Sequence, residues 1–278
     1  MLSLLIAILC STMISLVMRF GEQRGTGQTG LLFVNYGVCF ALAMVLALPE
    51  LSSESHTGLD LALGLGSITG VFYLTSFLAL QFSIRKNGVA VSTAFSKLSV
   101  LVPTLISILV FGEQPGLWVI LGFVLALIAI IVMNTGSDSG QVTARPFLLV
   151  LLLVGGLGEV MSKIYNQLGT SAWSSSFLMF TFLMALVLCG ILCRFRHERI
   201  GKKELFYGVL LGIPNYFSAY FLLKSLQSIP ATTAFPTYAV GVPALVTLAG
   251  LMIVHERLTK RQGIALGIIA AALVLLNL

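Results

Sequence analysis

A chain of 278 residues would ordinarily suggest one or two soluble domains, but 58% of this one is apolar and only 9% charged, with a mean hydropathy of +1.02. Soluble domains carry about 25% charged residues, so sixteen Lys and Arg with ten Asp and Glu cannot solvate a globule of this size. They can serve as loops around a bundle whose outer surface is lipid, so the chain is expected to be a multi-pass protein with the lipid bilayer as its first partner. The net charge of +6 then reports orientation, not nucleic-acid binding.

A hydrocarbon core of roughly 30 Å needs about 20 apolar residues per helix, and ten runs qualify in chain order. The first, residues 2–18, lacks a basic n-region and a small-x-small cleavage site, so it reads as a spanning helix and not as a removed signal peptide. The second, 30–48, is interrupted by Asn35 and Tyr36. The third, 60–81, carries Gly66-x-x-x-Gly70 with Thr69, Tyr73 and Ser76. The fourth, 88–111, has Ser92, Ser96, Ser99 and Ser107 on one side, Thr93, Lys97 and Thr104 adjacent, and Pro103 inside. The fifth, 116–134, is almost wholly apolar. The sixth, 146–166, sets Gly155, Glu159, Ser162, Lys163 and Asn166 on one helical face. The seventh, 172–193, leads into a basic loop. The eighth, 205–224, holds Gly208-x-x-x-Gly212, Pro214, Asn215, Tyr216, Ser218 and Tyr220. The ninth, 230–254, holds Thr233, Pro236, Thr237, Tyr238 and Pro243. The tenth, 260–278, is apolar around Gly263-x-x-x-Gly267.

Pro49, Pro115, Pro146 and Pro230 stand at run edges, where a missing amide is harmless. Barrel strands would be about 10 residues long with alternating polarity; these runs are longer and do not alternate. The expected fold is an all-α membrane protein with ten transmembrane helices.

Thirteen of the sixteen Lys and Arg fall in odd-numbered loops: Arg19 and Arg24; Arg85 and Lys86; Arg145; Arg194, Arg196, Arg199, Lys202 and Lys203; Arg257, Lys260 and Arg261. Even-numbered loops hold none, and Lys97, Lys163 and Lys224 lie within runs. Positive charge marks the cytoplasmic side, so the expectation is a cell (inner) membrane protein with odd-numbered loops in the cytoplasm and both termini outside.

The chain repeats itself at half its length. Residues 91–105 align with 231–245 with seven identities in fifteen. The Gly66/Gly70 and Gly208/Gly212 pairs match, Glu113 and Glu256 close the fourth and ninth runs, and Arg19, Gln23 and Gly25 match Lys163, Gln167 and Gly169. Five helices is an odd number, so a second copy must enter the membrane inverted. The loops agree: the one after the second run has no Lys or Arg, while its counterpart after the seventh has five. The expected domains are repeats at 1–137 and 138–278. Inverted repeats of this kind mark many secondary transporters, with the substrate near the midplane.

The two halves resemble the EamA domains of the ten-helix drug/metabolite transporter superfamily. The resemblance rests on Pro243, Glu256-Arg-Leu-Thr259 and Gln262 in the second half and on Pro103, Glu113 and Gly122 in the first. Gln114-Pro-Gly116 and Ala265 depart from the family pattern. The resemblance implies efflux of small metabolites such as amino acids by alternating access through a midplane cavity, with proton coupling or passively. Its alternative is a sugar, nucleotide-sugar or lipid-linked carrier of the same superfamily.

A charge inside a span costs a few kcal/mol and usually faces a cavity or a partner. Lys97, Glu159 and Lys163 meet that description. Glu159 lies one turn before Lys163, a favourable ion-pair spacing, so two readings stand: the pair only locks the bundle, or Lys163 holds a substrate anion and Glu159 a coupling proton. Lys97 has no acidic neighbour in its own run and is expected to meet an anionic or zwitterionic substrate. Tyr73, Ser96, Asn215, Tyr216 and Tyr238 complete the candidate substrate-binding set. Lys224, Arg19, Glu113 and Glu256 read as helix-end contacts. Pro103, Pro214, Pro236 and Pro243 are expected to bend or break their helices and free carbonyls for a cavity.

An embedded enzyme would need clustered catalytic groups. The three histidines, His56, His197 and His255, sit in loops, no acidic pair lies in a run, and there is no phosphate loop. A channel would show a filter segment or rings of like charge, which are absent from the sequence. Cys10, Cys39, Cys189 and Cys193 form no metal or disulfide pattern. The expectation is a transporter that is not an enzyme and uses no cofactor, metal or nucleic acid.

Overall fold

The computed structural model describes residues 1–52, 57–87, 89–134, 145–198, 200–253 and 260–278. Among them the chain is helical without strands: α1 (Leu2–Gln23), α2 (Gln28–Leu51), α3 (Leu59–Asn87), α4 (Val89–Leu98), α5 (Leu101–Leu109), α6 (Leu117–Asn134), α7 (Arg145–Leu168), α8 (Ser174–Phe195), α9 (Lys202–Ser225), α10 (Ala231–Ile253) and α11 (Lys260–Leu276). Among the described residues eight segments are long and apolar enough to cross a membrane; Leu117–Val132 and Gln262–Leu276 are shorter apolar helices. All ten expected runs are therefore helical. His56, Arg199, His255, Glu256, Arg257, Thr259 and the expected boundary at 137/138 lie outside the described residues.

The fourth run is not one helix but two, α4 and α5, parted at Ser99 and Val100. Pro103 contributes to the break. Its ring excludes the carbonyl four residues earlier, that of Ser99, and it offers no amide in return. The Ser99 carbonyl instead accepts from Val102 N at 3.0 Å, and Val100 N reaches back to Lys97 O at 3.4 Å. The Ser99 hydroxyl donates to Ser96 O at 2.7 Å. Pro236 and Pro243 do not break α10, which runs unbroken from Ala231 to Ile253.

The chain divides into two compact units: Met1–Leu74 with Met161–Gln227, and Thr75–Val160 with Ser228–Leu278. In the first, α1 packs on α9, and α2 packs on α8 and α9. Small residues allow close approaches, of α3 onto α8 as well as of α9 onto α2. A Cβ at Gly66 would stand 2.6 Å from the Phe177 carbonyl of α8, and one at Gly70 would collide with the Thr181 carbonyl. Gly208 and Gly212 are pressed onto α2 in the same way, against Val34 and Val38.

In the second unit α6 pairs with α11, and α10 packs on α5, α6 and α11. Its core gathers Ala126, Ala129, Ile130, Val240, Ile269 and Ala272. Gly263 and Gly267, the third small-residue pair, meet nothing within 4 Å of an added Cβ. The outward faces carry large apolar side chains such as Leu117, Trp118 and Val124 of α6 and Leu149 and Leu153 of α7, which suit hydrocarbon and not water.

Candidate functional site

In the first unit the site is aromatic. Phe182 of α8 is the hub: Tyr36 of α2, Tyr73 of α3 and Tyr216 of α9 stand with ring centroids 6.5, 6.2 and 6.1 Å from it. Tyr220 continues the series one helical turn from Tyr216, at 6.2 Å. Beside these rings Asn215 Nδ2 donates to Asn35 Oδ1 at 3.1 Å, and Cys39 Sγ donates to the Gly212 carbonyl at 3.3 Å. Tyr216 is 0% exposed, yet its hydroxyl has no hydrogen-bond partner among the described residues. Buried polar atoms are nearly always paired, so an unpartnered phenol is out of the ordinary here. Lys163 also belongs to this unit and is 3% exposed.

The second unit holds the charges. Lys97 ends α4 just before the break, and Glu159 of α7 is the acidic group that acts on it. The sequence offered Glu159 only its own-helix neighbour Lys163; the fold sets a cation of α4 to act on it. α7 sits close against the break between α4 and α5 because it has two adjacent glycines. A Cβ on Gly156 would fall 2.6 Å from the Ser99 carbonyl, and one on Gly155 would fall 3.1 Å from Ser99 Cβ. Three buried oxygens of this unit, Ser107 Oγ, Glu159 Oε2 and Thr237 Oγ1, lack hydrogen-bond partners among the described residues. Thr237 aligns with Lys97 in the repeat. Ser96 gives its carbonyl to Ser99, and Tyr238 is half-buried on α10.

Three carboxylates hold helix starts in place. Neither α2 nor α8 is capped by a side chain at its own N-cap residue. Glu50, near the end of α2, accepts from Ser175 N at 2.9 Å and from Ser176 N and Oγ at 2.8 Å. Glu198, just past α8, accepts from Thr29 Oγ1 at 2.8 Å and Gly30 N at 3.0 Å. The two helices thus exchange caps. In the second unit Glu113, expected at a helix end, accepts from Ala231 N at 3.1 Å and Thr232 N at 2.9 Å, the first amides of α10. Lys224 lines a cavity of about 170 Å³ with Glu50, Ser174 and Tyr220.

Sequence reasoning singled out Tyr73 and Tyr216 but missed Phe182, which joins them, because one Phe in an apolar run carries no signal. Glu50 and Glu198 were missed for a different reason: the amides they serve lie on another helix.

A multi-span helical bundle with buried polar and charged groups of this kind has the build of a membrane transporter. Residues 146–278 match the model of the EamA-like transporter family, and that half of the chain belongs to it. It is 27% identical over 273 residues to an uncharacterized protein of Haemophilus influenzae, covering 93% of this chain and 91% of that one. It is 29% identical to a probable glucose uptake protein of Bacillus cereus, covering 74% and 75% of the two chains. The glucose uptake protein of Bacillus subtilis is 28% identical, with 73% and 72% covered. A crystal structure of 15% identity matches in fold with a TM-score of 0.79, over 99% of this chain and 98% of the other. The family is one of transporters and not of enzymes, and this chain is a transporter of small solutes in a lipid bilayer.

Proposed function

We propose that the protein is a secondary carrier for a small polyhydroxylated solute, a monosaccharide in the first instance, working by alternating access of two inverted five-helix repeats. The observation that carries the substrate class is the Tyr216 hydroxyl, buried and unpartnered among Tyr36, Tyr73 and Phe182 and next to the Asn35–Asn215 amide pair. Aromatic faces pack on the C–H surfaces of a sugar, while amides and a phenol satisfy its hydroxyls. Relatives described as glucose uptake proteins lend support to the sugar alternative over amino-acid efflux.

The inverted arrangement draws support from the cap exchange. Helices α2 and α8 hold equivalent places in the two repeats, and the end of each serves the start of the other. The glycine ridges are reciprocal too, with Gly66 and Gly70 on α8 and Gly208 and Gly212 on α2.

A second reading is favoured by Lys97 and Glu159. A cation and an anion that act on each other suit a zwitterion, whose carboxylate and ammonium would each replace one partner. Uptake of labelled glucose and of labelled amino acids into proteoliposomes, with and without a proton gradient, separates the two. Saturable glucose counterflow that is weakened in Tyr216→Phe is the expected result. Amino-acid flux without glucose flux would replace the sugar reading.

A further inference from the structure

The end of α8 closes in an unusual way. His197 N donates to Arg194 O at 3.4 Å and Glu198 N to Cys193 O at 3.2 Å, the paired bonds that finish many helices on a left-handed residue, usually glycine. Here that residue is His197, at φ 52°. Glycine holds such a conformation at less cost, and strain of this sort is retained where the side chain has a use. The His197 side chain lines a cavity of about 500 Å³ with Arg194, Cys193, Phe33 and Ile200. Gly190 makes room for its floor, since a Cβ there would stand 2.9 Å from the Phe33 ring.

Three nearby charges among the described residues are occupied. Glu198 turns its oxygens to Thr29 and Gly30. Arg196 donates to Thr29 Oγ1 at 3.0 Å, and Lys203 donates to the Arg24 carbonyl at 3.1 Å. The Arg194 guanidinium and the His197 imidazole have no hydrogen-bond or ion-pair partner among the described residues. Two open nitrogen donors in a cavity whose one carboxylate, Glu198, is already hydrogen-bonded to Thr29 and Gly30 call for a phosphate or a similar oxyanion. The cavity also lies where the apolar segment Ser171–Phe195 ends, at the level where hydrocarbon gives way to headgroups. Phe195, 77% exposed, Ile200 and Phe33 supply apolar surface for the first methylenes of a lipid.

We propose that this cavity binds the phosphate headgroup of an anionic membrane phospholipid, with Arg194 and His197 as its donors. Binding to the native state raises its unfolding temperature, which gives the test. The purified full chain in neutral detergent is heated with added phosphatidylglycerol, phosphatidylcholine or glycerol 3-phosphate. Phosphatidylglycerol is expected to raise Tm by several degrees, well beyond phosphatidylcholine, while glycerol 3-phosphate has little effect. Arg194→Gln and His197→Gly should each lose more than half of that rise, whereas Lys202→Gln, which removes one positive charge at the exposed start of α9, should keep it. Without lipid, His197→Gly should start at a higher Tm than the parent, because the left-handed position is relieved. A rise equal for both lipids, a rise retained in both site variants, or one lost equally in Lys202→Gln would overturn the proposal. Glycerol 3-phosphate reproducing the full rise would give the site to a soluble phosphate and overturn the lipid assignment. A His197→Gly chain starting no higher than the parent would overturn the reading of His197 as retained for its side chain.

Discussion

Leaving a buried hydroxyl unsatisfied costs about 1–3 kcal/mol, and the Tyr216 phenol bears that cost in the absence of solute. Tyr216→Phe is therefore expected to leave stability unchanged or raise it by about 1 kcal/mol, while weakening solute binding about 2–10-fold through the lost hydrogen bond. Solute-induced shifts in Tm of the purified variants read both effects together. Lys97 and Glu159 make the opposite case. Replacing either by an apolar residue of similar size leaves the other charge uncompensated and is expected to destabilise the protein, whereas replacing both should recover most of the loss. Lys97→Arg should rescue only in part, since a planar fork does not reproduce an ammonium. Denaturation of the two single variants and the double variant decides this, and a double variant less stable than either single would show that the two charges do not compensate each other. Both charges were conspicuous in the sequence because each interrupts an apolar run. Their association was not legible, because spacing reveals neighbours one turn away and nothing about which helices meet.

The interruption between α4 and α5 lies beyond the reach of hydropathy, which sees residues 88–111 as one apolar stretch. Pro103 announced a bend, but Pro243 sits at the aligned place in α10 and leaves it continuous, so proline alone does not decide. The close seat of Gly156 on the Ser99 carbonyl is a further feature of the broken helix. Pro103→Ala restores an amide and should extend helix through Ser99 and Val100, shifting Lys97 relative to Glu159. The expected outcome is a folded protein with transport reduced at least tenfold, checked by circular dichroism and proteoliposome flux. The exchanged caps behave more simply. Glu50→Ala and Glu198→Ala should each cost about 1 kcal/mol, in line with lost helix caps. They act at opposite ends of a 24-residue helix, about 36 Å long, so their costs should add within about 0.5 kcal/mol.

For the molecule as a whole, composition alone was enough to establish membrane residence and the helical class, because nothing else can bury so much apolar surface in so few polar residues. The boundary expected from the sequence and the compact units divide the chain differently: each unit takes segments from both sides of residue 137. Sequence repetition follows ancestry and insertion, while compactness follows which helices pack, and α1 packs on α9 and not on its own half alone. Orientation is open to direct measurement. Cysteines replacing Thr170, after α7, and Lys202, at the start of α9, both exposed, should be labelled from opposite sides of the membrane, Thr170→Cys from outside. Labelling of both from one side would overturn the inverted arrangement. The cap exchange also sets an order in time. When α8 emerges from the ribosome, Glu50 has already been made and its cap is waiting. Gly30 must wait for a carboxylate 168 residues further on, about ten to thirty seconds at ordinary rates of synthesis. Two contacts that mirror each other in the finished protein are thus made far apart during its birth, and the start of α2 is secured only after α8 has crossed.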